Sequence, residues 1–125
     1  MNMYKTESEK IQEVIELYFT GLYKGKKELL EEAFHQKMQL FGDINGEPYY
    51  REVGDFLDGV AKRESPESLG EDFRMKILSL EILGNIAVTK LHVPMFEFNY
   101  FDYLLLHKIN GKWTVVSKSF IHFEN

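Results

Sequence analysis

Lys118 stands two residues from Val116 and two from Phe120, so in an extended strand its ammonium shares a face with an aliphatic and an aromatic side chain. A cation placed there must reach water, a carboxylate or an anionic ligand, unless its stem packs and its head snorkels out. Grouped with Tyr18, Phe101, Tyr103 and Phe120, it would line an aromatic cavity holding one positive charge. Such a cavity suits a small hydrophobic or aromatic ligand, planar and oxygen-rich or anionic. Other chemistry is sparsely represented. The histidines at 35, 92, 107 and 122 have no short ligand spacing, which argues against a metal site. His35, at the expected end of a helix, reads as a dipole-favoured side chain, and Asp102 as a strand-end carboxylate beside a hydroxyl. With no glycine-rich phosphate loop, serine-nucleophile motif or dinucleotide fingerprint, no cofactor is expected.

The elements that would position these residues are legible from periodicity. Thr6 and Glu9 form a capping-box pattern, and Ile11, Val14, Ile15, Tyr18 and Leu22 follow at helical spacing, predicting a first helix that ends between Gly21 and Gly25. Leu29, Leu30, Ala33 and Phe34 mark a second helix ending by about His35, and Val53, Phe56, Leu57 and Val60 a third. Between them, the residues around Gly42-Asp43-Ile44-Asn45-Gly46 predict a short strand pair. After a polar loop from Lys62 to Asp72 the chain reads as strand. Gly84-Asn85 and Asn110-Gly111 are two-residue connections that suit tight hairpins.

Continuing the ladder from Asn110-Gly111 without interruption places Ile109 opposite Lys112, Tyr103 opposite Lys118 and Asp102 opposite Ser119. In that register Tyr103 and Lys118 share one face, and Asp102 and Trp113 the other. From Gly84-Asn85 the same construction puts Leu78, Leu80 and Ile82 with Ala87, Thr89 and Leu91 on a core face. It leaves Phe73, Ile77, Val88 and Phe96 on the reverse. A mixed apolar face of that kind predicts a homodimer through the outer side of the sheet.

At 125 residues the chain is expected to be a single domain, residues 1–125, and with 44% hydrophobic and 14% aromatic residues it should fold around a core. A formal net charge of −5 without a basic stripe argues against nucleic acid and acidic membrane surfaces as partners. The absence of cysteine removes disulfides, thiol nucleophiles and sulfur-bound zinc. No segment has the apolar length of a signal peptide or membrane span, from which we expect a cytoplasmic protein without membrane contact.

Phe101-Asp102-Tyr103-Leu104, Lys108-Ile109-Asn110-Gly111-Lys112-Trp113 and Lys118-Ser119-Phe120 resemble the C-terminal hairpin of the nuclear transport factor 2-like superfamily. Tyr18-Phe19-Thr20-Gly21-Leu22-Tyr23, with Lys26 and Ala33-Phe34-His35, is similar to its lumazine-binding, SnoaL-like branch. The resemblance implies an α+β fold in which three N-terminal helices pack on a strongly curved antiparallel sheet, a cone enclosing an apolar cavity. Members include isomerases, cyclases, dehydratases and non-catalytic binders, commonly homodimeric. Among them the ketosteroid isomerases pair a carboxylate base with tyrosine and protonated aspartate donors. By position Tyr18 matches the donor tyrosine, whereas the base position falls on Gly42, beside Asp43, and the second donor on Tyr103, beside Asp102. Small-molecule binding without catalysis is therefore the leading expectation. An acid/base enzyme of the isomerase or SnoaL cyclase type, using Tyr18 with Asp102 or Asp43, is the alternative, and a protein-interaction module a third class.

Overall fold

The computed structural model describes residues 3–124. Helix α1 (Met3–Lys24) buries Ile11, Ile15, Tyr18 and Leu22, which recur every three or four residues along one stripe. Thr6 lies inside this helix, so the capping-box reading does not hold. Gly25, at φ +68°, ends it in the left-handed conformation that suits a residue without a Cβ. Helix α2 (Lys27–Ala33) crosses close to α1 at Gly21, where a Cβ would meet Leu30 at 2.8 Å. The chain then passes directly into β1 (Phe34–Ile44), turns through Asn45 and Gly46, both at positive φ, and returns as β2 (Glu47–Glu52). Helix α3 (Val53–Lys62) buries Phe56 and Val60, as its stripe predicts.

Four strands follow: β3 (Lys76–Leu83), β4 (Ile86–Met95), β5 (Phe98–Ile109) and β6 (Lys112–His122). They join β1 and β2 in one curved six-stranded sheet of order β2-β1-β6-β5-β4-β3, with the helices packed on it. All its pairs are antiparallel except β1 with β6, so the expectation of a purely antiparallel sheet is amended at the one place where the N-terminal hairpin meets the last strand. The α+β architecture itself is as expected.

Both long hairpins turn where the Gly-Asn and Asn-Gly pairs predict, with Leu83 opposite Ile86 and Ile109 opposite Lys112. Neither ladder continues undisturbed. A break between Ile77 and Ser79 leaves Leu78 out of the β3–β4 register and brings Ile77 opposite Leu91, against the core, while Leu78 is exposed. Phe73 packs edge-on to Phe19 and Tyr23, and Phe96 also packs on the core. The predicted outer patch of Phe73, Ile77, Val88 and Phe96 therefore does not exist as a unit; of those four, Val88 alone keeps its place. No described helix is long and apolar enough to cross a membrane.

Candidate functional site

The second break decides the site. In the β5–β6 ladder Leu106 pairs with Val115 but Leu105 pairs with Ser117, so Val116 is an extra residue on β6. A one-residue bulge exchanges the two faces for everything beyond it. Lys118 accordingly pairs with Leu104, Asp102 with Phe120, and Tyr103 with Ser119. Lys118 thus joins Asp102, Trp113 and Val115 on the inner face, where Lys118 is 4% and Asp102 3% exposed; Asp102 and Trp113 share a face as the sequence predicts. Tyr103 stands on the opposite face at 56% exposure, with the half-buried Phe101 two residues away. The uninterrupted register, which paired Tyr103 with Lys118 and Asp102 with Ser119, is corrected by this single insertion.

Helix α1 closes the site from the other side. The fully buried Tyr18 hydroxyl donates a short hydrogen bond to Asp102 Oδ2 across the helix–sheet interface. Tyr18 is fixed by tilted ring contacts with Phe19 and Phe34. Lys118 Nζ lies over three rings, 4.3 Å from the centroid of Phe56, 5.0 Å from Tyr18 and 5.4 Å from Phe120. Ring faces attract an ammonium but accept no proton from it. Gly42 of β1 gives Phe120 its place, since a Cβ at residue 42 would come within 2.3 Å of that ring.

Burial sets the electrostatics. It pushes the Asp102 carboxyl above its ordinary range, and the nearby Lys118 charge and the Tyr18 hydroxyl oppose that rise without cancelling it. Burial likewise lowers Lys118 to about 8, with Asp102 resisting and Arg63 assisting. The Tyr18 phenol is raised well above its usual value by burial and by the adjacent Asp102 carboxylate, so it remains a hydrogen-bond donor at any ordinary pH. The result is a carboxylate and an amine in one buried group, both shifted toward the pH range in which proton transfer is efficient.

Asp102 and Lys118 line a cavity of about 80 Å³ together with Phe56, Tyr100, Arg63 and Phe120, among others. Tyr18 stands behind the carboxylate rather than on the wall. The exposed Arg63, its guanidinium 4.9 Å from the Phe96 ring centroid, marks the open side. There the β4–β5 turn places Phe96 and Glu97 at positive φ, and the Glu71 carboxylate accepts the Phe96 N–H with both oxygens at 3.1 Å. The structure thus brings together Tyr18, Asp102, Lys118 and Phe120 but leaves Phe101 and Tyr103 outside. Asp43 does not line the cavity; its Oδ1 accepts the Gly46 N–H at 2.8 Å in the β1–β2 turn. Sequence reasoning passed over Phe56 because it read as a core stripe, and Arg63 because it falls in the polar loop from Lys62 to Asp72. Among the described residues no group of three His, Asp or Glu is placed to hold a metal ion.

Comparison with known proteins agrees with this fold. A protein-family model described as "Putative lumazine-binding" matches residues 6–121. The chain belongs to that lumazine-binding family. This family member is 29% identical over 106 residues to Aldolase FrzH of Cladobotryum sp., a match spanning 82% of this chain and 81% of that protein. Its fold is also that of an NTF2-like protein of unknown function from Shewanella baltica, with a TM-score of 0.87, 24% identity and full coverage of both chains. A second such protein, from Methylobacillus flagellatus, has a TM-score of 0.84 at 24% identity, over 95% of this chain and 94% of that one. The resemblance drawn from the hairpin and α1 motifs is therefore met in the lumazine-binding family, and the fold it implies in these two structures.

Proposed function

We propose that this chain is an acid/base enzyme acting on a small carbonyl compound, with Asp102 removing the proton α to the carbonyl. The observation that carries this reading is the buried Tyr18–Asp102 hydrogen bond at the wall of a cavity that also holds Lys118. A carboxylate of raised pKa, excluded from water, is a competent base, and a cation beside it offsets the negative charge that develops on the carbonyl oxygen. Tyr18 is a positioning residue: it holds one carboxylate oxygen and leaves the other for the substrate. A cavity of about 80 Å³ admits the reacting end of a ligand, since whole drug-sized molecules occupy roughly 300–1,000 Å³. Arg63 on the open side would receive an acidic group on the remainder. The aldolase relative, whose chemistry also concerns a carbonyl and its α carbon, supports this choice over binding alone.

Proton NMR in D₂O tests the reading directly. Pyruvate, 2-oxobutanoate and acetone, incubated with the chain, should exchange their α protons for deuterium faster than in buffer, and Asp102→Asn should abolish the excess. Exchange that persists unchanged in Asp102→Asn, or that never exceeds the buffer rate, overturns it.

A second reading, ligand binding without turnover, rests on the family description and the aromatic wall formed by Phe56, Tyr100 and Phe120. It predicts stabilisation of the folded chain by aromatic acids or pterins with no exchange. For either reading we propose a homodimer through the outer sheet face, where Val88, Phe101, Leu105 and Val116 are half-buried beside the exposed Tyr103.

A further inference from the structure

We propose that Lys118 is a nucleophile that joins the substrate carbonyl as an imine, so that the proton removed by Asp102 leaves an iminium rather than a free ketone or aldehyde. This deepens the reading of the same site and rests on it. Three observations place Lys118 in the role. Its head opens onto the cavity that contains Asp102. Its surroundings are three ring faces, and among the described residues it has no hydrogen-bond or close ion-pair partner that would hold it as an ammonium. And β6 carries an extra residue, Val116, whose effect is to turn Lys118 inward. Bulges of this kind re-aim side chains beside reacting centres.

A structural lysine would gain more from the outer face, where water and the neighbouring Ser119 are available. Burial instead holds Lys118 near 8, so at neutral pH its free-amine fraction exceeds that of a surface lysine by about two orders of magnitude. Charged and titratable groups surround its cavity: Tyr18 packs behind it from α1, and Tyr49 from β2, Tyr100 and Asp102 from β5 and Arg63 after α3 line it.

The step balances without a cofactor. The ammonium first releases a proton to solvent through the open side. The amine nitrogen then bonds to the carbonyl carbon, the carbonyl π bond breaks to the oxygen, and that oxygen takes up protons and departs as one water. The nitrogen is left doubly bonded to carbon and positively charged. Asp102 next accepts the α proton, and the C–H electron pair neutralises the iminium as an enamine. The enamine carbon then bonds to a second carbonyl carbon, the new alkoxide takes the proton that Asp102 holds, and one water adds to the re-formed iminium and releases the product and the free lysine. The sequence is redox-neutral overall and needs no external oxidant or reductant.

The experiment is reductive trapping. The full chain is incubated with pyruvate or acetone and sodium cyanoborohydride near pH 7.5, then analysed by intact mass and peptide mapping. We expect one adduct, heavier than the protein by the probe less one oxygen atom, concentrated on Lys118 by tenfold or more over any other lysine. It should be absent in Lys118→Arg, which keeps the charge and is checked for folding by circular dichroism. Trapping should survive in Asp102→Asn while α-proton exchange is lost, which separates imine formation from proton removal. Exchange without a Lys118 adduct overturns the imine and leaves the acid/base reading standing. Absence of both exchange and adduct overturns both. An adduct spread evenly over surface lysines, or retained in Lys118→Arg, also refutes the assignment.

Discussion

Burying an ammonium among rings has a thermodynamic signature. Lys118 carries a folded pKa of about 8 against an ordinary 10.5, so between these values the unfolded chain binds more protons than the folded one. Stability must therefore rise with pH through that window as the penalty on the charged form is relieved. The full amplitude is of order 3 kcal/mol. Tyr18 works in the opposite sense at higher pH, because its raised phenol makes the folded state the better proton binder above its ordinary 10.0. Urea unfolding between pH 8 and about 9.5 isolates the lysine. The wild type should gain stability across this interval and Lys118→Met should not; parallel slopes would mean that Lys118 is solvated. Tyr18→Phe removes the hydroxyl that helps keep Asp102 ionised, at a cost of about 1–3 kcal/mol. It should move the acid limb of the exchange-rate profile to higher pH, an effect that packing loss alone does not produce.

At the scale of elements, β6 and β1 act as one device. The Val116 bulge turns Lys118 and Phe120 inward, and Gly42 on the neighbouring strand leaves the space in which the Phe120 ring lies. The position that the resemblance to ketosteroid isomerases assigned to a base falls on Gly42; here that space belongs to Phe120, and the carboxylate of the candidate site comes from β5. Gly42→Ala should overpack this contact, costing about 1–3 kcal/mol and pushing Phe120 into the cavity. The expected readout is a lower unfolding midpoint together with weaker binding of any ligand found by thermal shift. A variant as stable as the wild type would show that Phe120 moves aside freely.

For the molecule as a whole, the sheet has two faces of different use. The inner face, covered by the helices, carries Asp102 and Lys118; the outer face carries Phe101, Tyr103, Leu105 and Val88. Sedimentation should show a dimer, and Leu105→Asp, outside the cavity lining, should yield folded monomers. A wild type that sediments as a monomer at high micromolar concentration would rule out this interface.

The helical stripes, the three tight turns and the mixed α+β content were determined by the sequence alone, because each follows from local periodicity or from a residue pair suited to positive φ. Leu83 and Ile86, and Ile109 and Lys112, lie opposite one another as the turns dictate. Farther from each turn the prediction failed for one physical reason. Strand register propagates only while the ladder is regular, and an extra residue such as Val116 leaves no local signal in a run of half-apolar side chains. Its position is decided by what packs on the strand: α1 bringing Tyr18 to Asp102, and Gly42 admitting Phe120. Residue types alone place an aspartate, a lysine and a tyrosine in this chain; only the tertiary structure puts them on one side of the sheet.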